Sequence, residues 1–236
     1  MNGPPALGLA GWAFLVFAGV LLPAAVVVFA VAAHRRGDAV PAPGDAAADM
    51  PSRIQLYAQA LFTHALLLGA AFAAARAEGV VLFPRMAVER RDLIAAALTL
   101  LAVVAIGDLS WRSRSPADRA RLWVRRILPH TRAERRAWIL VSAGAAIAEE
   151  VAYRGVFAGL ATTATGSLPI AVLASAIAFA AVHAPQGLAG IGYVFVIALV
   201  HQALVLVTGT LVLAIVVHFA YDVLAGLWLA RRHGLT

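Results

Sequence analysis

The sequence predicts an all-α fold: a polytopic bundle of about seven transmembrane helices that forms a single integral membrane domain, residues 1–236. Three observations support this class. Hydrophobic residues make up 62% of the chain and charged residues only 13%, whereas roughly a quarter of an average soluble domain is charged. The apolar residues are grouped in runs long enough to cross a bilayer as helices. The basic residues lie mostly in the polar connections between these runs, as they do in membrane proteins.

The predicted helices follow one another through short polar connections. In chain order they cover residues 9–33, 54–75, 93–110, 137–160, 168–183, 189–207 and 211–230. The first apolar run is longer than the roughly 7–15 residues of a signal-peptide core, and no basic segment precedes it, so we interpret it as a retained span. The polar segments 37–52 and 76–92 are predicted loops, and Pro185 predicts the break before the sixth helix.

An additional short helix is predicted near 117–128, in the arginine-rich connection before the fourth helix. Apolar side chains recur there at helical spacing, arginines occupy the opposite face, and Pro129 ends the run. The pattern is typical of an interfacial helix on an anionic lipid surface and equally of an amphipathic connector packed on the bundle. Both interpretations stay open, and neither implies chemistry.

The positions of the arginines predict the orientation. The chain has no lysine, and nine of its arginines lie between residues 112 and 136. Because basic loops remain on the cytoplasmic side, the chain is predicted to be N-out and C-in, in a bacterial cytoplasmic membrane. The net charge of +7 therefore indicates a lipid bilayer, and no nucleic acid, as the partner. The absence of cysteine excludes disulfides, thiolate zinc sites and cysteine nucleophiles.

Ionisable residues interrupt the fourth apolar run. Glu149 and Glu150 adjoin one another there, and Arg154 follows one helical turn later. A charged side chain at the bilayer centre costs roughly 2.5–3.5 kcal/mol, so such a cluster indicates function. Glu150 and Arg154 have the spacing of a pair along one helix face, and a purely structural clamp between helices stays open for them. Glu149 points about 100° away and is free to face the bundle interior.

Two later helices also carry polar side chains. His183 ends the fifth helix, one turn after Phe179, and His218 shares a face of the seventh helix with Asp222. Taken singly, each is also typical of a structural hydrogen bond at a helix end or between helices. We interpret His201 and its neighbour Gln202, on the sixth helix, as helix-packing groups.

Taken together, these motifs resemble those of the CPBP (CAAX protease and bacteriocin-processing) family of intramembrane proteases. The resemblance is carried by Glu149-Glu150-x-x-x-Arg154, Phe179-x-x-x-His183 and His218-x-x-x-Asp222, in that order. It covers residues 137–230, the motif-bearing core, and the first three helices contribute only hydropathy.

The resemblance implies an intramembrane endopeptidase whose substrate is a membrane-associated protein or peptide. It implies that Glu149 and His183 activate a water, that His218 and Asp222 stabilise the oxyanion, and that Glu150, Arg154 and Phe179 provide structural support. Members of the family often have asparagine where this chain has Asp222. Because an ionised aspartate cannot donate a hydrogen bond, we expect Asp222 to orient His218 or to be protonated itself.

Members of the family are often called metalloproteases, and zinc ligands here would be Glu149, His183 and His218. The chain has no His-Glu-x-x-His sequence, so the helical zincin arrangement is absent. We therefore favour a metal-free, glutamic mechanism and expect no cofactor.

Three alternatives compete with a CPBP-type protease. A transporter could use the same groups as a proton or cation path, and a non-catalytic scaffold could retain the fold alone. A presenilin-like aspartyl protease could use Asp108 with Asp222, but the two aspartate motifs occur here in the reverse of that family's order along the chain. A path spreads polar groups along the membrane normal, whereas a protease gathers them. We therefore predict that the four proposed catalytic residues line one chamber open towards residues 112–136, that Arg154 turns away from it, and that the fifth helix ends before the membrane surface.

Overall fold

The computed structural model describes residues 6–35, 51–115 and 124–232. Within these ranges the regular structure is entirely helical, which confirms the predicted class. The helices are α1 (9–35), α2 (Arg53–Glu78), α3 (Arg90–Arg112), the short α4 (Val124–Ile127), α5 (132–165), α6 (Leu168–Ala181), α7 (Gly187–Thr208) and α8 (Leu211–Arg232). The predicted helix near 117–128 lies largely outside the described residues, and α4 is the part that is described.

Five helices are long and apolar enough to cross a membrane, and they confirm an integral membrane protein. They are Leu9–Ala33, Arg53–Glu78, Arg90–Arg112, Ala184–Thr208 and Leu211–Arg232. α5 is about 50 Å long at 1.5 Å per residue, so it also has the length to span, but it carries charged side chains along its course. α6 has only 14 residues and is shorter than a full span.

Helix α5 lies at the centre of the bundle. A capping box of Thr131 and Glu134 begins it, and Gly166, with a φ of 66°, ends it and turns the chain sharply into α6. α2 and α8 pack along its first half, and α6 packs against its last part. Because the stretch 150–161 is almost wholly buried, its charged residues face other helices rather than lipid.

The remaining helices enclose this centre. α1 packs on α2, and α3 packs on both α7 and α8. At one end of the bundle Glu78 accepts hydrogen bonds from the N–H groups of Gly8 and Gly11, and at the other Tyr57 donates to the carbonyl of Ile127. We call the second end, which holds Arg53, Arg112 and the segment 124–136, the arginine-rich end.

Candidate active site

The two glutamates lie where the geometry of α5 changes. Its first part, Arg132–Glu149, is α-helical, and the following segment, Glu150–Phe157, is π-helical. A π-helical segment shifts the register of the backbone and is frequent at functional sites. Ser175 of α6 donates a hydrogen bond of 2.8 Å to the carbonyl of Tyr153, so the widened segment is held by its neighbour.

Glu150 is fully buried and lies between two cationic groups. Its Oε1 is 2.8 Å from Nδ1 of His218, and its Oε2 is 3.5 Å from Nε of Arg154, the partner that the spacing predicts. The guanidinium of Arg154 lies 4.1 Å from the centre of the Phe179 ring, so Phe179 contributes a cation–π contact. The Glu150 side chain is therefore buried with a hydrogen bond at Oε1 and, at Oε2, only the 3.5 Å ion pair with Arg154.

Glu149 has different partners. Its Oε1 is 3.0 Å from Nε2 of His64 on α2, and its Oε2 is 3.7 Å from Nε2 of His218. Nδ1 of His64 is in turn 2.7 Å from the carbonyl of Ala60, one turn earlier. His64 is therefore a contact of the site that the sequence analysis did not name. The signal that could have found His64 is the one used for the other histidines, an ionisable residue inside an apolar run.

His218 is held by Glu150 more closely than by Asp222. Its Nε2 lies 3.5 Å from Oδ2 of Asp222, at the limit of a hydrogen bond, whereas its Nδ1 makes the 2.8 Å contact with Glu150. Glu150 is thus a partner of His218 that the spacing did not predict, and the expected role of Asp222, to orient His218 or to be protonated itself, stays a prediction. The backbone of Asp222 is fixed separately, because Trp138 Nε1 donates 3.2 Å to its carbonyl oxygen.

His183 lies just beyond the end of α6. The helix ends at Ala181 after 14 residues, or about 21 Å, which is shorter than the roughly 30 Å hydrocarbon core. That it ends before the membrane surface stays a prediction. Nδ1 of His183 is 2.8 Å from the carbonyl of Phe179, and the two rings are 4.7 Å apart. This hydrogen bond places the proton on Nδ1 and leaves Nε2 available to another group.

Glu149, His183, His218 and Asp222 all line one cavity of about 600 Å³, which we call the chamber. Its lining extends to Trp111 and other residues near the arginine-rich end. An opening on that side stays a prediction. Arg154 also lines the chamber, so the prediction that it turns away is wrong. The pair with Glu150 occupies its Nε, while the rest of the guanidinium reaches the chamber wall.

His201 and Asp108, which are not among the four proposed catalytic residues, also line the chamber. His201, interpreted as a packing group, is 1% exposed, donates from Nδ1 to the carbonyl of Ile197 and lies 5.5 Å from the ring of His218. Gln202 is buried without reaching the chamber lining. Asp108 reaches the chamber near the arginine-rich end, where Arg112 contacts it at 2.5 Å.

A metal ion at this site would need ligands from the histidines and carboxylates of the chamber. Nδ1 of His218 makes a 2.8 Å contact with Glu150, whereas its Nε2 lies 3.7 Å from Glu149 and 3.5 Å from Asp222. Among the residues that the structure describes, no group of three or more histidine, aspartate or glutamate side chains is arranged to hold a metal ion. The metal-free mechanism stays a prediction.

An apolar helix bundle that encloses a chamber of glutamate, histidine and aspartate side chains defines an integral membrane protein with a polar site among its helices. Residues 133–224 match the family model described as type II CAAX prenyl endopeptidase, Rce1-like. The motif-bearing part of the chain is therefore similar to a CAAX-type family of intramembrane proteases, as the motifs predict. The matched segment contains all four proposed catalytic residues and excludes His64. No curated protein and no solved structure matches the chain.

Proposed function

We propose that this protein is an intramembrane endopeptidase that cleaves a membrane-associated protein or peptide with a water activated by Glu149 and His183. The observation that carries the proposal is the convergence of Glu149, His183, His218 and Asp222 on one chamber. A conducting path would need polar groups spread from one membrane face to the other. A hydrolytic site needs them around a single reacting bond.

The two oxygens of Glu149 have separate tasks. Oε1 is occupied by His64, and Oε2 faces the chamber near His218. A carboxylate in this position can accept a proton from a water while that water attacks the peptide carbonyl carbon. A C–O bond forms, the carbonyl oxygen becomes an oxyanion, and the C–N bond then breaks as the leaving amine takes up the proton.

His183 is the second group on the water. Because its Nδ1–H donates to the carbonyl of Phe179, its neutral form presents the lone pair of Nε2. That nitrogen can orient the water or carry the proton to the leaving amine. The His183 ring packs at a tilt against Phe179, and the Arg154 guanidinium lies over that ring.

His218 is the proposed oxyanion donor. Its Nδ1–H is directed to the buried Glu150, so the imidazole is held with Nε2 towards the chamber. An N–H aimed at the developing negative charge stabilises the transition state more than the ground state. Asp222, 3.5 Å from the same Nε2, would favour the charged form of this donor and leaves the direct contact with the oxyanion to His218.

The proposed topology is N-out and C-in, in a bacterial cytoplasmic membrane. It rests on the arginines at the arginine-rich end, which cluster on one side of the bundle. In that topology the chamber opens towards the cytoplasm, and the substrate is cleaved within the cytoplasmic half of the membrane.

The test compares membrane proteomes of cells that produce the wild-type chain or Glu149→Gln. Glutamine keeps the shape and loses the base, so we expect cleavage that the wild type supports to fall by about 10²–10⁴-fold. The matched control is Glu89→Gln, a half-exposed glutamate far from the chamber. Identical peptide termini in wild type and Glu149→Gln would mean that no cleavage depends on Glu149 and would favour the transporter alternative. Cleavage that a chelator stops and added zinc restores would return the metal mechanism.

A further inference from the structure

Helix α2 contributes one ionisable side chain to the chamber region, and it comes from outside the segment that matches the protease family. His64 lies in the middle of a span whose other residues near it are mostly apolar. Its side chain is 20% exposed and reaches the carboxylate of Glu149, which is 14% exposed. Among the described residues, the hydrogen bond from His64 is the one that reaches this carboxylate, since Nε2 of His218 is 3.7 Å away.

Both ring nitrogens of His64 face acceptors. The carbonyl of Ala60 can only accept, so Nδ1 carries a hydrogen. The carboxylate of Glu149 also accepts, so a second proton lies between Nε2 and Oε1. The contact therefore occupies one carboxylate oxygen and leaves the other, Oε2, for the chamber.

The packing of α2 on α5 makes this contact rigid. A Cβ on Gly144 would lie 2.7 Å from Cδ2 of Leu61, so the glycine permits the two helices to approach closely. Two turns before His64, Tyr57 donates to the carbonyl of Ile127 at 2.5 Å and packs edge-on against Trp138 at 5.9 Å. These contacts fix how α2 and α5 align along their length, on the face of α2 that carries His64.

We propose that His64 is a positioning residue that holds the carboxylate of Glu149 with Oε2 towards the substrate. This inference rests on the proposed function, because it assigns to Glu149 the role of base. His64 acts through Glu149, in the way that a hydrogen-bonded partner orients a metal ligand or a catalytic histidine. It extends the reactive machinery to a helix that carries none of the family motifs.

The kinetic test compares His64→Leu, His64→Gln and Thr63→Val in liposomes. The substrate is the membrane protein whose cleavage depends on Glu149. Thr63 is a matched control, because it is the exposed neighbour and bonds its own helix carbonyl in the same way. Loss of a supporting hydrogen bond of this kind costs about 10–100-fold, so His64→Leu should lower kcat by that amount with KM within about twofold. His64→Gln keeps an amide donor for Oε1 and should lose less. Thr63→Val should match the wild type.

A wild-type kcat in His64→Leu, or a change confined to KM, would overturn the proposal. If His64→Leu does not fold, the comparison of His64→Gln with Thr63→Val decides, since equal kcat values would also overturn it. A spectroscopic readout separates this proposal from the proposed function. In ¹⁵N-histidine-labelled protein, Glu149→Gln should shift the His64 resonances and Glu89→Gln should not. If the His64 resonances do not shift in Glu149→Gln, His64 does not contact Glu149 and the proposal fails. If they shift but no cleavage depends on Glu149, the contact stands and the proposed protease function fails.

Discussion

Glu149 and Glu150 are neighbours in the chain, yet they lie in two different regions of the molecule. Glu150 is fully buried between His218 and Arg154, whereas Glu149 lines the chamber and contacts His64. The change from α-helix to π-helix occurs between them. Two identical side chains thus have different partners, supplied by other helices. On the proposed function, Glu150 supports the bundle and orients His218, and Glu149 acts on the reacting group.

The largest expected effect is on the Glu150 region. Arg154→Ala would leave the carboxylate of Glu150 buried without its guanidinium, and breaking such a pair costs about 3–5 kcal/mol of the free energy of unfolding. Chemical unfolding in detergent measures this, with the largely exposed Arg91→Ala as control. In contrast, Glu149→Gln should unfold like the wild type. If Arg154→Ala is as stable as the wild type, the two glutamates do not differ in the way described here.

The next effect concerns which carboxylate orients His218. Because Glu150 holds Nδ1, we expect Asp222→Asn to change the cleavage rate by less than about tenfold, against about 10²–10³-fold for His218→Leu, which removes the donor. Initial rates are normalised to the folded protein in each preparation. If Asp222→Asn and His218→Leu lower the cleavage rate equally, Asp222 rather than Glu150 is the residue that orients His218.

The smallest effect tests the π-helical segment that separates the glutamates. Ser175→Ala removes the hydroxyl that bonds the carbonyl of Tyr153, and a hydrogen bond of this kind contributes about 1 kcal/mol to the free energy of unfolding. Thr163→Val, whose hydroxyl makes an exposed bond within its own helix, is the control and should change little. A Ser175→Ala variant with unchanged unfolding would show that α5 keeps its register without α6.

Local patterns in the sequence predict the fold and most of the candidate site. Among the described residues, the helices other than the short α4 are the seven predicted, because apolar runs and polar breaks are properties of consecutive residues. The Glu150–Arg154 contact also follows from its spacing, since residues four apart share a helix face. The similarity of residues 133–224 to a protease family also rests on motifs of closely spaced residues, which a sequence displays directly.

The tertiary structure decides the contacts between helices that are distant in the chain. His64 and Glu149 are 85 positions apart, and His218 and Glu150 are 68 apart. Whether such residues meet depends on how α2 and α8 rotate and slide against α5. That in turn depends on close approaches such as the one at Gly144. A sequence states which side chains each helix carries on each face, but the register between packed helices results from the fit of many side chains at once. For that reason the partners of Glu149 and the exposure of Arg154 to the chamber emerge only when the helices are packed together.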